Sequence, residues 1–290
     1  MHQRVTLPDG LTVWAPNEIE ALTLYREIVT DRTYQSNGIT LPPNSIVFDV
    51  GANIGLFAVH LARTIPDVRI HAFEPIPDLF EGLTRNLAEH APAAHAHNVA
   101  LSDRAGQATF TFDRFMTLGT TMHPGVWKSA SNRSAGVTDW VAAAVIDWDR
   151  AQPTGLTRRL ASMARHAAGR TALVAAAVPV GLGLAVRQRL FLKRYSCRLD
   201  TLGSAIRAAR VDRIDLLKID VEGAEEDVIR GMAEDDWDRV HQLVIEVHDV
   251  DGRVDRLDRL LQERGYRTTR AREDWAMHAL LGISTLYAFR

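Results

Sequence analysis

The chain has 290 residues, 46% apolar and 24% charged, enough to bury one large core or two modest domains. With 34 Lys and Arg against 36 Asp and Glu, its net charge of -2 excludes a general polyanion binder. The single cysteine, Cys197, excludes an intramolecular disulfide framework and fits a reducing compartment. The first residues, MHQRVTLPDG, show no secretory pattern, and the longest apolar run, Thr171 to Val186, is interrupted by Pro179, Gly181 and Gly183. That run is shorter than the roughly 20 residues that span a bilayer, so a cytoplasmic protein without stable membrane insertion is expected.

In chain order, RVTLPDGLTVWAP reads as a hairpin turning at Pro8-Asp9-Gly10. Asn17 and Glu20 then have capping-box spacing ahead of a helix over Ile19 to Val29, and these elements form an N-terminal unit, 1–45. SIVFDV is a buried strand, followed by GANIG and a helix from Leu56 to Arg63. VRIHAFE is the next strand, ahead of a helix from Asp78 to Glu89 with Leu79, Phe80, Leu83 and Leu87 on one face. HNVAL reads as a third strand and QATFTFD as a fourth, more exposed one.

Charge then changes abruptly. From Arg150 to Leu199 there is no acid but ten Arg or Lys, marking an insertion at 124–198 that also holds Trp127, Trp140 and Trp148. It fits a helical hairpin packed on the core or at a homo-oligomer contact, a lid over an apolar or carrier-linked substrate, or a shallow anchor on an anionic membrane face. Nucleic acid is not expected, because no aromatics are interleaved with the basic residues as a stacking platform.

Alternation resumes with a helix over Leu202 to Ala209, the strand IDLLKIDV and a helix over Ala224 to Met232. LVIEVH is a strand, Val254 to Arg264 a helix ending at Gly265, and STLYAFR an edge strand. Strands alternating with helices predict an α/β fold with a mostly parallel sheet covered on both faces, built from 46–123 and 199–290. Ligands of such sheets bind beyond the carboxyl ends of the strands.

The strongest chemical signal is VFDVGANIG. Gly51 and Gly55 permit close backbone approach at a strand-to-helix turn, and the following helix aims free amides at a ligand. Glu74 lies 19 residues after Gly55, at a strand end where a carboxylate accepts both hydroxyls of a ribose. A dinucleotide frame starting at Gly51 fails at Asn53 and Leu56, and no phosphate loop is present. Asp49 is better suited to an ammonium than to a pyrophosphate. S-adenosylmethionine (SAM) offers an amine, a carboxylate, a sulfonium and a ribose without phosphate, and that inventory fits Asp49, the helix amides and Glu74.

VFDVGANIGLF, HAFEP, NVALSD, LLKIDVEGAEEDVIRGM and LVIEVH, in that order, resemble the FkbM family of SAM-dependent methyltransferases. The resemblance covers about Tyr34 to His123 and about Leu199 to the end, and the insertion departs from the family's shorter link. It implies a class I methyltransferase (Rossmann-like) fold and O-methylation of secondary metabolites, sugars or related small molecules. By position it implies that Asp49, Gly51, Asn53 and Gly55 hold the methionine part and Glu74 the ribose. Asn98 to Ser102, including Ala100, would lie by the adenine, with Asp220 and Val221 at the amine and reacting methyl.

A hydroxyl acceptor must lose a proton, which calls for a base or a Lewis acid. Asp220 and Glu222 close one strand, and Glu246, His248 and Asp249 close another. His248 is favoured as the base, since an unperturbed imidazole titrates near neutrality, with Glu246 orienting it or the acceptor. A divalent cation on Asp220, Glu246 and His248 is the disfavoured alternative, and Lys218 reads as a structural ion-pair partner. N- or C-methylation, or a non-catalytic SAM-binding protein, stand as rivals.

Overall fold

Alternating side chains divide the central strands between two apolar layers, and this places the site. In the computed structural model, residues 2–113, 137–151, 153–166, 168–173, 192–271 and 275–290 are described. After the hairpin β1 (Gln3–Thr6) and β2 (Thr12–Ala15) comes α1 (Glu18–Tyr25), whose N-cap Asn17 accepts from the Glu20 amide at 2.9 Å. The expected single helix to Val29 instead ends at Tyr25 and continues as a wider turn over Arg26–Thr30.

The core strands are β3 (Ile46–Val50), β4 (Arg69–Phe73), β5 (His95–His97), β9 (Leu216–Ile219), β10 (Gln242–His248), β11 (Arg267–Ala271) and β12 (Ile283–Phe289). They form one seven-stranded sheet in the order β11-β12-β10-β9-β3-β4-β5. Only β12 runs against the rest. STLYAFR is therefore not an edge strand: it lies between β10 and β11. The edge is β11, RTTRA, too polar to announce itself.

Val47, Ile70, Leu216 and Val244 face α2 (Leu56–Thr64), α3 (Pro77–His90) and the N-terminal segment. Their neighbours Phe48, Phe73, Leu217 and Ile245 face α6 (Leu202–Ala209), α7 (Glu225–Arg230) and α8 (Arg253–Glu263). The period-two switch of buried faces is what a doubly covered sheet demands.

A second sheet departs from expectation. HNVAL breaks after His97, and β6 (Ala100–Ser102) joins β7 (Gly106–Asp113) and β8 (Leu192–Thr201) in the order β6-β8-β7. β8 runs through the expected boundary at residue 198, so Lys193, Arg194 and Arg198 sit on a paired strand. Of the insertion, α4 (Val137–Ala151) packs on α5 (Gly155–Ala164) and on α9 (Ala276–Leu281). Trp127 and most of the run from Thr171 to Val186 lie outside the described residues. No helix among the described residues is long and apolar enough to cross a membrane.

Candidate active site

The turn from β3 into α2 holds three left-handed residues in five, Gly51 at φ +81°, Asn53 at 51° and Gly55 at +80°. A Cβ on Gly51 would sit 1.7 Å from the Asp220 carbonyl oxygen, and one on Gly55 would sit 2.5 Å from Leu83 Cδ1. The missing side chains thus let the turn pack against the Asp220 backbone and against Leu83 of α3. The Gly51 and Ala52 amides both donate to the Phe73 carbonyl at 3.0 Å, which ties the turn to the end of β4.

Glu74 locks the same junction. Its Oε2 accepts from the Asn53 amide at 3.0 Å and its Oε1 from the Ile76 amide at 2.8 Å. Each oxygen keeps a second acceptor site. Burial pushes the Glu74 carboxyl up to about 8 against those two amide bonds. Asn53 Oδ1 is buried without a protein partner among the described residues. Asn98 donates its side-chain amide to the Glu74 and Pro75 carbonyls at 2.8 and 3.0 Å and stays at the rim. Ala100 and Ser102 instead leave with β6 for the second sheet, where both are buried.

Asp49 does not reach the cleft. It is 0% exposed, and its Oδ1 lies 3.1 Å from Lys218 Nζ, so the ammonium it holds is the chain's own. Burial raises the Asp49 pKa, and Lys218 opposes the rise. Lys218 also donates to the Gly51 carbonyl at 2.8 Å and lies 3.4 Å from Asp220 Oδ2. Tyr34, buried in the segment after α1, donates to Asp220 Oδ2 at 3.1 Å, hydrogen-bonds Glu27 closely, and has Lys218 over its ring at 5.0 Å. Sequence reasoning gave Tyr34 no role, because no periodicity marks it.

His248 is 1% exposed, with Nε2 3.0 Å from Glu222 Oε2 and Nδ1 3.1 Å from Glu225 Oε1. Burial lowers its pKa, but the two carboxylates outweigh burial and hold the ring well above its ordinary value. With a carboxylate facing each ring nitrogen, the environment favours the doubly protonated ring, which has no lone pair for a proton or a metal, over the neutral base the sequence suggested. Arg253 closes the cluster, 2.7 Å from Glu225 Oε2. Glu246, buried on the same strand, adds negative charge near Tyr34 and raises its pKa further. Asp249 accepts from the Val254 amide at 3.4 Å and serves the entry of α8. Among the described residues, no group of three His, Cys, Asp or Glu is arranged to hold a metal ion. A further histidine, His278 on α9, is held down to about 4 by burial and by the positive charge of His248, so it is neutral near the cluster.

Strand order reverses between β3 and β9, and the turn after β3, the acid closing β4 and the loop after β9 gather there, at the carboxyl ends of parallel strands. That is a class I methyltransferase fold. Residues 196–268 match the methyltransferase FkbM domain. The chain is 35% identical over 264 residues to the 31-O-demethyl-FK506 methyltransferase FkbM of Streptomyces tacrolimicus, covering 91% of this chain and 88% of that protein. It is 31% identical to methyltransferase sdnD of Sordaria araneosa over 92% of this chain and 90% of that one. A 33% match to the AMB antimetabolite synthetase AmbE of Pseudomonas aeruginosa covers 91% of this chain but only 11% of that protein. Among solved structures, precorrin-6y C5,15-methyltransferase from Geobacter metallireducens aligns over 94% of this chain and 89% of its own, at 12% identity and a TM-score of 0.39. The chain belongs to the FkbM methyltransferase family, which implies SAM as its methyl donor.

Proposed function

We propose that the chain transfers the methyl group of SAM to an oxygen of a small-molecule acceptor of secondary metabolism. The observation that carries this reading is the contact between the Gly51 turn and the Asp220 carbonyl. It sets the donor-side loop directly against the loop that bears Asp220 and Glu222, so donor and proton-handling groups adjoin. The Streptomyces relative, named as the methyltransferase of an O-demethyl compound, supports oxygen as the target.

The residues present fit the donor. Glu74 keeps acceptor capacity for the two ribose hydroxyls, and the partnerless Asn53 Oδ1 suits the donor's ammonium. Bound SAM supplies a methyl group already activated on a sulfonium. What remains for the chain is alignment, worth several kcal/mol for a well-oriented displacement, together with removal of the acceptor's proton. Asp220, held by Tyr34 and Lys218, borders the reacting centre. We assign the seven-stranded sheet and the helices on its two faces to the donor-binding core. Within the 124–198 insertion, the described helices α4 and α5 are assigned as part of a cover for the acceptor, because Arg150 at the end of α4 bonds Asp31 at 2.9 Å in the segment that carries Tyr34, and Ala276 donates to Asp147 at 2.8 Å.

Methyl-labelled SAM offered with a panel of hydroxylated metabolites tests this. The expected result is S-adenosylhomocysteine together with a product labelled on oxygen. Calorimetric SAM binding without turnover on any acceptor would make the chain a binding partner instead of an enzyme.

A further inference from the structure

We propose that Glu222, not His248, takes the proton from the acceptor hydroxyl; this rests on the oxygen-methylation reading. Glu222 follows β9 with φ 53°, and Gly223 follows it at φ 100°. A left-handed conformation is strained for a residue with a Cβ and persists only where its surroundings over-determine it. Both flanks are pinned here: the Asp220 amide donates to Val50 at 3.0 Å, and the Gly223 amide donates to Glu225 Oε1 at 2.6 Å. The strained step directs the Glu222 carboxylate onto His248 Nε2.

Exposure separates the two members of that pair. The His248 side chain is 1% exposed, whereas that of Glu222 is 18% exposed. Among the described residues, the charged groups that act on Glu222 include His248 on β10, Glu225 on α7, Asp220 on its own loop and, through Glu225, Arg253 on α8. Burial raises the Glu222 carboxyl, Asp220 and Glu225 add to the rise, and His248 opposes it. The net is a carboxylate above its ordinary range and closer to working pH, the condition for an effective base. His248, whose two ring nitrogens lie 3.0 Å from Glu222 and 3.1 Å from Glu225, is its positioning residue.

In the step, the acceptor O–H proton moves to a Glu222 oxygen as that acceptor oxygen bonds the methyl carbon. The sulfur–methyl bond breaks and its electron pair stays on sulfur, leaving a neutral thioether. The proton then leaves through the accessible side of Glu222.

Two measurements test the assignment. Nitrogen NMR of protein labelled with ¹⁵N at histidine needs no acceptor: His248 should stay doubly protonated through pH 8 in the wild type and titrate at lower pH in Glu222→Gln. A neutral His248 ring at pH 7 in the wild type would overturn the proposal, because the imidazole would then be the available base. With the acceptor returned by the labelled-methyl screen, Glu222→Gln should lower kcat by 100-fold or more and leave the calorimetric SAM Kd within twofold. His248→Asn should retain an ascending pH limb, displaced upward, and recover rate above it. A flat, low profile in His248→Asn refutes Glu222 as the base. A wild type that labels no oxygen fails the oxygen-methylation reading instead, and does so before any variant is compared.

Discussion

Lys218 Nζ lies 3.1 Å from Asp49 Oδ1 across the pairing of β3 with β9, and both side chains are closed to solvent. Burial would lower the Lys218 pKa, but Asp49 and Asp220 reverse that and hold the ammonium charged. Since Lys218 also bonds the Gly51 carbonyl, the buried pair sets the height of the donor-side turn. Removing one partner of a buried pair leaves an uncompensated charge and costs about 3–5 kcal/mol. Lys218→Met and Asp49→Asn should each lose stability on that scale in urea denaturation. The double variant should lose clearly less than their sum, and strict additivity would show that the two charges are not coupled.

Gly51 and Gly10 share a left-handed φ, +81° and +85°, but differ in their surroundings. A Cβ on Gly10 meets nothing within 4 Å, while one on Gly51 collides with backbone. Gly10→Ala should therefore cost only the conformational penalty, about 1–2 kcal/mol. Gly51→Ala must also push β9 away from β3, and its loss should exceed about 4 kcal/mol or abolish soluble expression. Equal thermal shifts for the two variants would contradict the packing role.

Much of this was legible in the sequence, and the rest was hidden for identifiable reasons. The buried strands Ile46–Val50 and Leu216–Ile219 are apolar except for Asp49 and Lys218, which pair with each other, and the spacing of Gly51, Gly55 and Glu74 is local in the chain. β11 hides because an edge strand with one wet face has little need of apolar residues. β8 hides because all but its last two residues lie within the basic stretch, and its pairing with β7 is fixed at long range. The protonation of His248 depends on Glu225 from α7 and on Glu222, a juxtaposition no spacing rule reports. A histidine closing a strand was visible; the two acids clasping it were not.

His71 sits in a ladder of three histidines at one end of the sheet, with Nδ1 3.2 Å from His97 Nε2 and ring centroids 5.1 and 5.4 Å from those of His95 and His97. Burial, then the neighbouring rings and Arg69, hold its pKa down to about 4, against 6.5 unfolded. Between those values the unfolded chain binds a proton that the folded chain refuses. Its stabilising contribution is therefore present above pH 6.5 and lost as pH falls toward 4, by up to roughly 3 kcal/mol at 1.36 kcal/mol per unit. Urea midpoints between pH 4 and 7.5 should drop on acidification in the wild type and drop less in His71→Phe. Parallel curves would remove His71 as the cause.

Glu74 titrates in the opposite sense. Its folded carboxyl is pushed up to about 8 from 4.5, so between those values the folded chain keeps a proton that the unfolded chain has released. Its contribution is fully present below pH 4.5 and declines as pH rises through 8. Glu74→Gln, which stays neutral, should flatten that decline in urea titrations. Hydrogen bonds donated by a ribose favour the ionised carboxylate, so SAM binding at pH 7 should expel the Glu74 proton. Calorimetry in two buffers of different ionisation enthalpy should read that release in the wild type and not in Glu74→Gln. Loss of the charge-assisted bonds, roughly 1.5–3 kcal/mol, should also weaken the SAM Kd by about 10- to 100-fold. No proton release in the wild type, with an unchanged Kd in the variant, would leave Glu74 as a clamp between Asn53 and Ile76 and nothing more.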